Sequence, residues 1–202
     1  MSGSLEAGRL IDKGELCEKL GVSRFPVSAA VSRLAYDRLV DVAPQHGSFV
    51  SRISLKDVQE RLFIRSALEG EIAAEAARRM TPEDKFALAA NLKEATVAVE
   101  ADDIPSFYRA DVAFHQILTA RLGLARATEV LDNLRVHLER ARRLLMTPPG
   151  RIREVLDEHK AIVEAIASGD ADAARQAMKR HLGVTGALLE KFAGQRPEMF
   201  AP

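Results

Sequence analysis

From residue 54 onward the chain is cut into segments too long for strands by signals that start and stop helices. Ser54 with Asp57, Thr81-Pro82-Glu83-Asp84, and Asp103 ahead of Ile104-Pro105 are starts, with capping side chains and early prolines. Gly123 is a stop, Thr147-Pro-Pro-Gly150 a break, and Ser168-Gly169-Asp170 a stop followed by a new cap. These marks predict six helices, at about 55–79, 82–100, 104–122, 125–146, 151–168 and 170–193. Val130, Leu134, Leu138, Ala141 and Leu145 recur at helical spacing in the fourth, and Ile162, Val163 and Ile166 in the fifth. Such helices can bury their apolar faces only against one another, so residues 55–193 are expected to form an antiparallel six-helix bundle. No strand-like alternation interrupts it. Gly194 to Pro202 reads as a loose tail.

The first part is built differently. Residues 1–10 are short, polar and expected to fray. Asp12 and Glu15 fit a capping box for a short helix that ends at Gly21, a residue suited to the left-handed position after a helix. Ser23 is placed to cap a second helix whose first turn tolerates Pro26. Val27, Val31 and Leu34 give that helix a buried face, while Arg24, Ser28 and Ser32 project elsewhere. Leu39-Val-Asp-Val42 and Ser48-Phe-Val50 then read as two strands joined by a turn at Pro44-Gln-His-Gly47. Two short helices followed by a hairpin make a winged helix-turn-helix over residues 1–52. Its second helix is shaped for the major groove of DNA, and its hairpin tip for phosphate or the minor groove. The chain is therefore expected to be mainly α, with the short Arg52-Ile-Ser54 link leaving little slack between its two domains.

Charge contributes little to this reading. Lys plus Arg equal Asp plus Glu at 29 each, and residues 1–52 hold seven basic against six acidic side chains. DNA binding is argued from pattern, not from a basic surface. No apolar run reaches the roughly 18 residues of a membrane span, and no signal sequence opens the chain. The single cysteine, Cys17, excludes an internal disulfide and a cysteine-based zinc site, and suits a reducing cytoplasm. Lying between Leu16 and Leu20, it is a small packed hydrophobe.

The third helix of the bundle carries Asp111 and His115 four residues apart, flanked by Phe107 and Phe114. That spacing stacks a carboxylate and an imidazole on one helix face. His159 and His181 sit in later apolar helices. Any one such histidine is most simply a core residue. Together, one carboxylate and three imidazoles form an oxygen–nitrogen set suited to one divalent ion, with zinc first and nickel or manganese next. Because neutral imidazole binds the metal, affinity is expected to fall as the pH drops through about 6. His137 could line a cavity there, but reads more simply as a half-exposed helix residue.

Two resemblances follow. Leu20-Gly-Val-Ser-Arg24, Pro26-Val27, Arg33-Leu34, Leu39-Val40 and His46-Gly-Ser-Phe-Val50 resemble the winged-helix domain of GntR-type bacterial transcription regulators. Arg65-Ser-Ala-Leu-Glu69, Asp111-Val-Ala-Phe-His115, Glu158-His159, Gly169-Asp-Ala-Asp-Ala-Ala174 and Met178-Lys-Arg-His181 resemble the all-helical FCD domain of the FadR subfamily. Six helices instead of seven place it nearer the VanR-like group. The likeness implies that Asp111, His115, His159 and His181 hold the metal, and that Arg65 grips the carboxylate of a small metabolite. The alternative for Arg65 is a plain salt bridge to Glu69. It also implies that Arg24, Arg33, His46 and Gly47 meet DNA, in a homodimeric, cytoplasmic repressor whose effector and operator weaken each other's binding.

Three departures qualify it. Where the family runs Pro-Val-Arg-Glu-Ala-Leu, this chain has Ser28-Ala29-Ala30-Val31, which predicts weaker DNA binding or a different operator choice. The family's first helix has no counterpart ahead of Gly8-Arg-Leu10, so the start is truncated or the DNA-binding domain unusual. The asparagine common near Gly123 is missing. Two other functions remain as alternatives. One is a metal-dependent enzyme using Glu158 as base, and the other a regulator that responds to metal alone.

Overall fold

A computed structural model describes residues 6–145 and 148–201 of the protein, which divide into two compact units. The start at residues 1–5 and Thr147 of the expected break lie outside the described residues.

The first unit takes in the N-terminal part to Leu55 and residues 193–202. Its first helix, α1 (Lys13–Leu20), begins where the Asp12 carboxylate accepts from the backbone of Gly14 at 2.7 Å and Glu15 at 3.1 Å. It ends at Gly21, whose φ of 65° lets its N–H turn back to the last carbonyls. Ser23 stands at the start of α2 (Arg24–Tyr36) but makes no side-chain capping bond, so the turn and Pro26 set that helix start. Val27 and Val31 are buried, whereas Leu34, expected on the same buried face, is 40% exposed. The hairpin pairs β1 (Val40–Ala43) with β2 (Gly47–Val50), Val40 opposite Val50 and Ala43 opposite Gly47. Gly47 has φ +117°, a backbone conformation that favours glycine, and a Cβ there would also displace the end of the Leu10 side chain, 2.7 Å away.

Two sequence expectations change here. Residues 8–11 do not fray: they run beside β2, with Gly8 N–H donating to Val50 at 2.7 Å and Ile11 N–H to Ser48 at 2.8 Å. The tail is not loose either. Ile53 donates to Met199 O at 3.0 Å and accepts from Ala201 N–H at 2.8 Å, and Phe200 is buried. Both segments satisfy backbone groups that would otherwise need water, and neither carries a local sequence signal.

The six helices of the second region are α3 (Leu55–Arg79), α4 (Pro82–Glu100), α5 (Ile104–Arg121), α6 (Ala125–Leu145), α7 (Arg151–Ser168) and α8 (Ala171–Gln195). Thr81 and Asp84 form a reciprocal capping box, and Asp103 caps α5 through Ser106 N–H. Ile72, Leu88, Phe114, Leu118, Ile162, Ile166 and Met178 make the main core, one or more from each of α3, α4, α5, α7 and α8. Leu131 and Leu134 join it from α6, whereas Val130 is exposed. Among the described residues no helix is long and apolar enough to cross a membrane.

Candidate metal centre

A helix face buried in a bundle ordinarily carries apolar side chains, and charged ones found there have partners or a task. On α5, Asp111 and His115 lie on the same inward face as Phe107, Phe114 and Leu118. His159 on α7 and His181 on α8 are buried too. All four offer ligand atoms within 4.8 Å of one another. The packing fixes the rings: His159 stacks on Phe114 at 4.0 Å between centroids, and His181 meets it edge-on at 4.7 Å.

The orientation of each ring is set from outside the cluster. Glu69 of α3 takes the Nδ1 of His115, and Glu158 of α7 takes the Nδ1 of His181 at 2.6 Å. Both contacts place the proton on Nδ1 and turn the Nε2 lone pair inward. Glu69 is held in turn by Arg65, and Glu158 by Arg151 at 2.8 and 3.3 Å. Asn91 of α4 donates to Ala110 O at 3.0 Å and fixes the backbone beside Asp111. Carboxylate–histidine pairs of this kind commonly support metal-binding imidazoles.

What remains inside is a set of polar atoms with no partner. Asp111 Oδ1, His115 Nε2 and His159 Nε2 are all buried and unbonded. His159 Nε2 lies 3.5 Å from Asp111 Oδ1, beyond a good hydrogen bond. Such orphaned atoms are rare in folded proteins because each forfeits its hydration. Three of them facing one point fit a divalent cation, and the oxygen–nitrogen set suits zinc, nickel or manganese. Replacing Glu158 by Gln is expected to weaken metal binding about 10- to 100-fold while leaving all four ligands in place. Competition with a chelating dye would measure this, and unchanged affinity would remove Glu158 from the site.

Burial also shifts the proton equilibria. It lowers the pKa of His115 against the opposing pull of Glu69, and lowers that of His159 further, with help from the charges of the other two imidazoles. Burial likewise brings His181 down to about 4, although Glu158 opposes it. His159 and His181 thus resist protonation well below the ordinary histidine range and His115 shifts the same way, so the acid loss of metal expected from ordinary histidines moves downward. Burial alone would raise Glu69, but Arg65 and His115 hold it well below the usual carboxylate range.

Two cavities reach this cluster. The larger is lined by Arg65, Asp111, Arg142, Arg151, His181 and Thr185 among apolar side chains. The smaller borders Arg65, Glu69, His115 and Arg135. Arg65 forms the salt bridge to Glu69 that was its alternative reading, and it also borders both cavities. His137 is half-buried and lines neither cavity. Arg142 is the residue that sequence reasoning missed. It is buried, donates to Asp111 Oδ2 through Nη2, and leaves Nη1 without a partner. Burial and the nearby Arg65 charge lower it to about 9, so it stays cationic at neutral pH. Its position four residues beyond Leu138, inside the apolar stripe of α6, was the available signal. Glu158, the base of the enzyme alternative, is committed to His181 and Arg151.

In the first unit the expected DNA-facing residues are spread over α2 and the hairpin. Arg24, Arg33 and His46 are exposed and Ser28 is partly covered. Arg33 pairs with Asp37 at 3.2 Å, which offsets part of its charge. His46 and Gly47 sit at the hairpin turn.

Comparison with known proteins bears on both units. Residues 1–50 match the model for bacterial regulatory proteins of the gntR family, and residues 60–184 match the FCD domain. The HTH-type transcriptional repressor RspR of Escherichia coli is 32% identical over 194 residues, 96% of this chain and 85% of that protein. An HTH-type regulator of Streptomyces ambofaciens is 33% identical over 200 residues, 98% of this chain and 83% of its own. Among solved structures, E. coli McbR/YncC superposes with a TM-score of 0.77 at 24% identity, covering 94% of this chain and 91% of that one, a likeness of fold.

Proposed function

The chain belongs to the gntR family of bacterial regulatory proteins and carries that family's FCD domain, making it a DNA-binding transcription regulator and not an enzyme; on that premise we propose a metal-dependent sensor of small carboxylates that acts as a repressor. Asp111, His115, His159 and His181 are the metal ligands in this reading. Zinc is the first choice, and the count of six helices supports reading the domain as VanR-like. The supporting observation is the convergence of three buried, unpartnered ligand atoms on one point.

When bound, the metal supplies a Lewis-acid seat for a carboxylate oxygen. The chain's own residues provide the rest of the recognition. The fixed charges around the larger cavity balance in pairs: Arg65 with Glu69, Arg142 with Asp111, Arg151 with Glu158. With neutral imidazoles, a divalent ion leaves an excess of two positive charges in a poorly hydrated space. A monoanion halves that excess, and a dianion cancels it. Arg142, with a free Nη1, and Arg65 are placed to take a carboxylate in a forked grip. Arg24, Arg33, His46 and Gly47 contact the operator from two copies of the winged helix, since a homodimer matches a palindromic site. Ser28, standing where relatives carry an arginine, lowers affinity or changes operator preference.

Thermal-shift titration of the metal-loaded chain tests this. Short dicarboxylates are expected to raise the melting temperature more than monocarboxylates such as L-lactate or gluconate, and chelation is expected to abolish the effect. A chain that binds metal and DNA but whose melting responds to no carboxylate would replace this reading with a sensor of metal alone.

A further inference from the structure

The recognition helix presents an unusual outward face. Phe25, Ala29, Ser32 and Tyr36 recur at 25, 29, 32 and 36, the spacing that stacks side chains along one side of a helix. All four are exposed, Phe25 at 83% and Tyr36 at 81%, while Val27 and Val31 are buried on the other side. No charge and no amide lies in this stripe. The solvent face of a helix is ordinarily polar, and an exposed phenylalanine in the first turn of a groove-directed helix has a cost without a benefit in the free protein. Arg33 leans over the Tyr36 ring at 5.5 Å and pairs with Asp37, so the far end of the stripe already has company. The near end, Phe25 and Ala29, has apolar surface available beside the cationic Arg24.

The first turns of a recognition helix are the part that meets base edges. Arginine, asparagine and glutamine read bases through paired hydrogen bonds, and this stripe has none of them. Phenylalanine and alanine have one complementary target in the major groove, the 5-methyl group of thymine. Weak electrostatics sharpens the point: with seven basic against six acidic side chains in residues 1–52, phosphate attraction supplies little, and base contacts must carry more of the affinity.

Resting on the DNA-binding reading above, we propose that Phe25, with Ala29 behind it, reads thymine in each half-site by apolar contact with its 5-methyl group, and that Arg24 anchors the neighbouring backbone or base. The operator preference of this chain is then set in part by a methyl contact.

Replacing thymine by deoxyuridine removes that methyl and nothing else. The full chain is used to select duplexes from a random-sequence library, and each thymine of the enriched site is then changed singly to deoxyuridine. One thymine per half-site is expected to lose about three- to ten-fold in affinity on this change, the scale of one buried methyl. Phe25→Ala is expected to bind the thymine duplex with a similar loss and to be indifferent to deoxyuridine at that position. Because Phe25 is exposed, this variant should melt with the wild type; Ala29→Ser gives a second, milder test of the same contact. Thymine dependence that persists in Phe25→Ala would overturn the proposal, as would a site in which no single thymine matters. So would a Phe25→Ala chain that changes its association state while keeping its base preferences, since the stripe would then be a protein contact. A wild-type chain that enriches no sequence would overturn the DNA-binding reading itself.

Discussion

The Asp111→Ala, His159→Ala double variant is expected to purify without metal under conditions where the wild-type chain carries about one divalent ion. Each substitution removes one of the orphaned atoms that define the centre, and the two remaining imidazoles form too sparse a site to hold an ion through purification. Elemental analysis reads the result directly. A second readout is stability: metal at a hundred times its dissociation constant should stabilise the wild type by about 2.7 kcal/mol. For a chain of this size that is roughly 5–10 °C in melting temperature, and the variant should show none of it. Losing Asp111 also leaves the buried Arg142 guanidinium without its partner, a cost of about 3–5 kcal/mol. Asp111→Asn with His159→Gln, which keeps shape and hydrogen-bonding capacity, therefore separates loss of metal from loss of fold. A folded variant that retains stoichiometric metal would eliminate the four-residue site.

Acid should destabilise the metal-free chain earlier and more steeply than carboxylate titration would. His115, His159 and His181 all have folded-state pKa values below the ordinary 6.5, principally because they are buried. Above pH 6.5 they are neutral in both folded and unfolded chains, and stability is complete. Below it the unfolded chain takes up protons that the folded chain refuses, so stability falls until the folded imidazoles titrate, near 4 for His181. Each histidine contributes about 1.4 kcal/mol per pH unit. By pH 5 that is roughly 2 kcal/mol for His181, and the lowered His115 and His159 add to the loss in the same direction. Glu69 and Glu158, held below the normal carboxylate range, add to the loss further down. Urea unfolding of chelated protein between pH 7.5 and 5 measures the slope. A flat profile would mean that the three imidazoles are hydrated and the centre is open.

The helices were legible because their ends are local events. Thr81 with Asp84, Asp103 with Ser106 and Gly169 in the left-handed region each determine a boundary within a few residues. The cluster of Asp111, His115, His159 and His181 was legible because type and spacing coincide. The charged shell around them was harder to read. Arg65 and Glu69 occupy the stripe that includes Leu62 and Ile72, and Arg142 sits in the stripe of Leu138 and Leu145. A charged residue at a core position looks, in one sequence, like an imperfection in an amphipathic pattern; only its partner on another helix gives it meaning. The pairing of Ile53 with residues 199–201 had no signal at all, because neither segment has a periodic pattern and their contact spans most of the chain.

That last pairing changes how the molecule is connected. The unit holding the winged helix includes both the beginning of the chain and residues 193–202, so the sensing unit is spliced into it as an insert. Two covalent junctions join the units: the start of α3 after Leu55 at one side and the end of α8, the helix that carries His181, at the other. A body hung from one string can spin without disturbing its support, whereas one held at two points transmits rotation as torque. A twist of α8 at His181 therefore has a direct backbone route into the unit that carries the winged helix.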